Sequence, residues 1–200
     1  MSGMRLRLLW IGLVGLSLAS EARAVSLALT PAGSVAAVGG SVAIAIEIAG
    51  LGNGAPPTLS SFDLDVSFDP SVLSFQSATF ESALGTGSDV LTSAAPIGPS
   101  SIDVAAASLL DSATLDANQP GSFTLATLIF QAIAPGVSPL SIVDAILADT
   151  SSIPGGNQIF VDSFSAASVT VSPIPEPSAL LVFAAGVLLV GGAPGYLRKR

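Results

Sequence analysis

The sequence predicts an all-β domain built as an antiparallel sandwich or jelly roll, and three features of its middle carry that expectation. Apolar residues recur at every second position in several short runs. Gly, Pro, Asn and Ser cluster between the runs, and no long amphipathic helical pattern competes with them.

Taken in order, the first strand falls near Leu27–Thr30. In the second, Val42, Ile44, Ile46 and Ile48 alternate with Ala43, Ala45, Glu47 and Ala49, which sets one apolar row against a core. The cluster Gly50-Leu51-Gly52-Asn53-Gly54-Ala55-Pro56-Pro57 then breaks the pattern. Phe62, Leu64, Val66 and Phe68 alternate with Asp63, Asp65, Ser67 and Asp69 in the clearest half-buried strand of the chain. Val72 to Phe80 forms another extended run with Ser and Gln facing out, and Phe80 to Ser101 is looser and suits a long variable loop. Further strands are expected near Ile102–Ala107, Phe123–Ile133, Leu140–Val143 and Val169–Val171. One stretch, Val143-Asp144-Ala145-Ile146-Leu147, has a spacing closer to a helix.

Between two of these strands the turn Asp69-Pro70-Ser71 has a physical reason of its own. Proline pre-sets φ for the second position of a type I turn, and Asp at the first position can accept from the backbone beyond it. The stretch Ser61-Phe62-Asp63-Leu64-Asp65-Val66-Ser67-Phe68-Asp69-Pro70-Ser71-Val72-Leu73-Ser74-Phe75 resembles the cohesin signature, an aromatic-rich strand running into an Asp-Pro-Ser-Val-Leu turn. Val38-Gly39-Gly40-Ser41-Val42 followed by Gly50-Leu51-Gly52 is similar to the way those domains begin. Phe123 to Ala132 is similar to their long central strand. The resemblance covers Val25 to Val171 and implies a jelly-roll sandwich of about nine strands, shared with several carbohydrate-binding modules. Function does not follow from such a fold.

Charge divides the chain more sharply than composition does. All six basic residues lie at the two ends: Arg5, Arg7 and Arg23 around the first apolar run, and Arg198, Lys199 and Arg200 at the close. Of the fourteen carboxylates only Glu21 and Glu176 share those ends. The net −8 therefore hides a middle of twelve carboxylates and no cation, a charge of −12. Residues 1–24 read as a secretory signal peptide, with Arg5 and Arg7 before the apolar run Leu8 to Leu16 and a small-residue cleavage site at Ala22-Arg23-Ala24. The mature chain is then expected to start at Val25. An uncleaved anchor is the alternative, disfavoured because the run is short for a membrane span.

Residues 173–200 combine Pro175-Glu176-Pro177, an apolar stretch from Ser178 to Ala193, and the basic end Arg198-Lys199-Arg200. The stretch approaches the ~20 residues of a single transmembrane helix, and the basic end would stay cytoplasmic. This order resembles the PEP-CTERM sorting signal of bacteria that make exopolysaccharide. The resemblance implies recognition of Pro175, Glu176 and Pro177 by an exosortase, a membrane protease that removes the helix and the basic tail. It also implies a Gram-negative source and a path from the inner membrane to the cell surface or extracellular matrix. Pro194-Gly195-Tyr196 departs from the pattern and would end a helix early. An ordinary tail anchor is the alternative.

The middle, residues 25–172, suits one domain of about 150 residues. Without cysteine it folds on packing alone, and without His or Cys it lacks the usual zinc, copper and haem ligands. The missing cations argue against nucleic-acid binding, since phosphate neutralisation needs Lys or Arg. Nucleophilic catalysis lacks a His, Lys or Cys partner, which leaves carboxylate chemistry without Trp, Tyr or Arg to hold a sugar, so no enzyme and no catalytic residue is expected. No cofactor is expected either. A weak Ca²⁺ site at Asp63, Asp65 and Asp69 is weighed against a solvated acidic strand face, which is preferred. The phenylalanines Phe62, Phe68, Phe75, Phe80, Phe123, Phe130, Phe160 and Phe164 are expected mostly in the core. What remains is an exported adhesion or interaction module for the cell envelope or matrix. It would bind an envelope protein or a polysaccharide, with uncharged faces rich in Ala, Ser and Thr that could pair edge to edge. Its alternative is a carbohydrate-binding module for exopolysaccharide.

Overall fold

A computed structural model describes residues 24–149 and 157–173. The expected signal segment up to Arg23 and the expected sorting tail carrying Pro175, Glu176, Pro177, Arg198, Lys199 and Arg200 lie outside the described residues. Among the described residues no helix is long and apolar enough to cross a membrane.

Twelve strands form two sheets: β1 (Val25–Pro31), β2 (Val35–Ala37), β3 (Ser41–Ala49), β4 (Leu59–Ser67), β5 (Leu73–Phe80), β6 (Val90–Pro96), β7 (Ser101–Ser108), β8 (Ser122–Ala132), β9 (Gly136–Asp149), β10 (Gln158–Ile159), β11 (Val161–Ser165) and β12 (Ala167–Ser172). One sheet runs β11-β1-β3-β8-β5 and the other β2-β12-β9-β4-β7-β6, with β10 attached to β9. All pairings are antiparallel except β1 with β11 and β2 with β12, where the two ends of the domain lie side by side in parallel.

The alternation seen in the sequence is the core. Leu27 and Leu29, the row Val42 to Ile48, and Leu128 and Phe130 of the first sheet face Phe62, Leu64, Val66, Ile102, Val104, Leu140 and Val169 of the second. Phe130 joins Phe75 at 5.8 Å and Phe68 at 5.2 Å, and Phe62 stacks on Phe80 at 6.4 Å. Six of the eight phenylalanines thus pack on the core, while Phe160 and Phe164 are exposed.

Three expectations need correction. The count of about nine strands grows to twelve because short strands β2, β10 and β11 complete the sheet margins. Phe80 to Ser101 is no plain loop: it holds two short 3₁₀ turns and the regular strand β6. Leu140–Val143 extends into one 14-residue strand, β9, that includes the helix-like Val143 to Leu147. The reason is a bulge: Asp65 pairs with Asp144 but Val66 with Ile142, so Val143 is an extra residue. Before it the even positions Ser138 and Leu140 point inward, after it the odd position Leu147 does, and this phase change imitates a helical spacing. The one α-helix among the described residues, α1 (Ser112–Asn118), is capped by Asp111, whose side chain accepts from the Thr114 N–H at 2.9 Å.

Candidate binding face

The outward faces of β9, β4, β7 and β6 form a grid about 15 Å wide across the strands. Strand register dictates its rows. Asp65 sits between Asp144 on β9 and Asp103 on β7, and Ala95 of β6 follows beyond Asp103. The next row is Ile146, Asp63, Ala105 and Ser93, and the one after it is Ala148, Ser61, Ala107 and Leu91. Four carboxylates are therefore bordered on one side by two large apolar side chains, Ile146 in the row of Asp63 and Leu91 one row farther, both more than half exposed. A shallow depression of about 330 Å³ lies between Asp63, Leu91, Ala105 and Ile146.

Sequence reading placed Asp63 and Asp65 on one strand face, and the structure does so. It missed Asp103 and Asp144, because alternation along a strand reveals the face but not the residue opposite. Asp69 stays apart from this group. Its Oδ1 accepts from both the N–H and the hydroxyl of Ser71, at 2.8 and 2.6 Å, and its backbone C=O accepts from the N–H of Leu73. The Asp69-Pro70-Ser71 turn thus uses the carboxylate for folding. Among the described residues no group of three or more His, Cys, Asp or Glu is arranged to hold a metal ion, so the trio Asp63, Asp65 and Asp69 is not assembled as a Ca²⁺ site. Ala24, the last residue of the expected cleavage site, is exposed and leads directly into β1.

The crowding has an electrostatic signature. Desolvation, reinforced by the neighbouring charges of Asp63 and Asp65, raises the pKa of Asp103 above the ordinary carboxylate value. Asp69 and Asp111 move the other way: hydrogen bonds from Ser71 and from Thr114, respectively, lower theirs. A raised carboxylate binds more protons in the folded state, so its contribution to stability grows as pH falls through its folded pKa. A lowered one contributes above its unfolded pKa and loses that contribution as pH falls through the folded value. The melting temperature is therefore expected to rise on mild acidification from neutrality and to fall once pH drops below about 4. In Asp103→Asn the first limb should flatten, with a gain at pH 7 of roughly 0.2–1 kcal/mol from relief of the facing charges. Thermal melts of both chains across pH 3–8 check this; a parallel pair of curves would contradict it.

A second polar arrangement supports the end of β4. Gln119, just past α1, is 2 % exposed. Its Oε1 accepts from the Leu59 N–H at 2.6 Å and its Nε2 donates to the Leu59 C=O at 2.9 Å. The amide thus stands in for a neighbouring strand where β4 has run past β7. Nothing in the sequence marks this residue; a Gln before Pro120 reads as a loop.

The comparisons with known proteins concern the fold. No protein-family model matches the chain and no curated protein is similar to it. Solved structures do match. A type II cohesin domain from the cellulosome of Acetivibrio cellulolyticus is 18% identical with a TM-score of 0.60, covering 73% of this chain and 95% of that one. A cohesin module from a Clostridium perfringens family 33 glycoside hydrolase is 13% identical with a TM-score of 0.57, covering 76% and 99%. A type I cohesin–dockerin complex from Clostridium thermocellum matches at 12% identity and a TM-score of 0.59, covering 76% and 96%. The domain is a cohesin-like β-sandwich.

Proposed function

We propose that this chain is an exported, non-enzymatic interaction module that captures a protein partner on the outer face of β9, β4, β7 and β6. The observation that carries the reading is the row Asp144, Asp65 and Asp103 with Asp63 in the row beside it, and with Ile146 and Leu91 exposed on that same side of the row. Nothing between Val25 and Ile174 can neutralise it, because that stretch holds no Lys, Arg or His. A face with unpaired like charges and apolar flanks is complementary to a segment carrying Lys or Arg next to apolar residues. A cohesin of the same fold was solved bound to a dockerin, which supports partner capture as the use of such a sandwich.

Asp65→Lys with Asp103→Lys tests the face. Capture of the envelope partner is expected to weaken at least about tenfold, chiefly through slower association, and to be salt-sensitive in the parent chain. The melting temperature should hold or rise, since the substitutions relieve repulsion. Undiminished capture would move the binding site elsewhere.

Export rests on the two ends. The segment before Val25 directs secretion, and an exosortase cuts near Pro175-Glu176-Pro177, releasing the domain to the cell surface or matrix. The intact mass of the protein from its host is expected to fit a chain from Val25 to near Pro177, and Glu176→Ala should retain the basic tail. A mass that keeps Arg198-Lys199-Arg200 in the parent chain would make the tail a permanent anchor instead. One observation favours a second reading, polysaccharide binding: Phe160 is 76% and Phe164 51% exposed. Rings held in water can stack on sugars. A melting point that moves with host polysaccharide in the parent but not in Phe160→Ala would favour it.

A further inference from the structure

Among the described residues four strands end the two sheets, β11 and β5 in one and β2 and β6 in the other, and the two-residue β10 adds a short edge beside β9. An edge strand offers a row of unpaired N–H and C=O groups to any extended chain, and proteins guard such edges with charge, bulges or shortness. Three edges are guarded here. β11 carries Asp162, β2 has three residues, and β5 is bulged between Phe75 and Ser77, where Gln76 turns its amide onto Ser74. β6 lacks these three devices, and its one proline, Pro96, stands at its last position. It runs for seven uncharged residues and pairs with β7 without a register shift.

Two bonds at its ends fix which way its backbone points. The Asp89 C=O accepts from the Leu109 N–H at 2.7 Å, and the Ile97 N–H donates to the Ser101 C=O at 3.1 Å. In an antiparallel strand the direction alternates, so Leu91, Ser93 and Ala95 bond to β7 while Val90, Thr92, Ala94 and Pro96 point away from the sheet. Among the described residues no hydrogen bond reaches the outward N–H or C=O of Val90, Thr92 or Ala94. Pro96, which has no N–H, takes an outward position and so removes no bond to β7.

We propose that β6 pairs antiparallel with β6 of a second copy, about a twofold axis through Thr92, joining two acidic sheets into one. Thr92 then faces Thr92 of the partner subunit, and Val90 faces Ala94 of the partner subunit. Each facing pair exchanges two N–H···O=C bonds. A second copy fits because it supplies the same uncharged sequence, and no like charges meet along the line of pairing. On the outer face Leu91, 61% exposed in the single domain, lies across from Ser93 of the partner subunit. The −12 of each middle segment opposes the encounter, so salt strengthens the pairing. Pairing uses backbone at the edge and capture uses side chains on the face, so each can fail without the other.

The chain has no cysteine, which makes a single introduced one a clean reporter. In the full chain exported to an oxidising compartment, Thr92→Cys is expected to form a disulfide-linked dimer, since facing Cα atoms about 5.5 Å apart are within disulfide range. Its rate should exceed that of Gln76→Cys on the guarded β5 edge by on the order of tenfold, because pairing raises the local concentration. Adding Ala94→Pro, which removes an outward N–H but no bond to β7, should abolish the excess. Equal rates for the two cysteines, or an excess that survives Ala94→Pro, would overturn the proposal. If Ala94→Pro unfolds the domain, sedimentation of the cysteine-free chain decides: dimer that grows between about 0.05 and 0.5 M salt supports pairing, and a monomer at both overturns it.

Discussion

Phe130→Ala is expected to cost the domain about 4 kcal/mol, the largest effect we foresee for a single substitution. Phe130 is fully buried on β8 and lies in the middle of a ring cluster that crosses the sandwich. Phe75 comes from β5 in the same sheet at 5.8 Å, and Phe68 from the end of β4 in the other sheet at 5.2 Å. Removing the centre strips two aromatic contacts and leaves a cavity bounded by strands that cannot close on it, because their ladders fix their spacing. No disulfide limits the damage. Since domains of this kind hold only about 5–15 kcal/mol in all, the variant should populate its unfolded state measurably. Urea titration reads the loss directly, and Phe130→Leu should recover more than half of it. A loss below about 1.5 kcal/mol would mean that the cluster repacks and the sheets are not held at this point.

Gln119→Leu should follow, with a loss of about 3 kcal/mol from leaving both the N–H and the C=O of Leu59 buried without a partner. Leu59 and Gln119 are almost fully enclosed, so water cannot substitute for the lost amide. Gln119→Glu separates the two halves of the interaction. A carboxylate still accepts from the Leu59 N–H, but it cannot donate to the C=O groups of Leu59 and Ala83. Its stability should fall at neutral pH and recover toward acid, where the protonated group again offers a donor. Hydrogen exchange at the Leu59 amide gives a local check: fast exchange in Gln119→Leu with the rest of β4 protected is the expected pattern.

Most of the fold was legible because the core strands β3, β4 and β8 keep strict or nearly strict alternation of large apolar residues. Where legibility failed, the cause is local. In β9 a single extra residue, Val143, shifts the phase of the pattern and erases the period-two signal over five residues. β6 offers Val, Leu, Thr, Ser, Ala, Ala and Pro, with no large inward residue after Val90, since its place at the sheet margin asks for little burial. α1 buries one residue, Leu115, which is too little to imprint a helical period. The candidate face was half legible. Asp63 and Asp65 declare their side of β4 by alternation, but Asp103 and Asp144 become neighbours only through register, and that is set by the turns and the bulge rather than by nearby residues.

The parallel contacts at the domain's margins bear on how the chain can be made. β1 is the first strand synthesised and β11 nearly the last, yet they lie side by side, and the Val25 N–H donates to the Asp162 carboxylate across 137 positions of sequence. β2 likewise waits for β12. A growing chain therefore has no complete sandwich until Ser172 has been added. Closing so long a loop also comes late, because its entropy must be lost before the contacts that reward it form. The middle segment can then close its sandwich only after its last strand is made, which leaves an open polypeptide of the kind that the export proposed above requires.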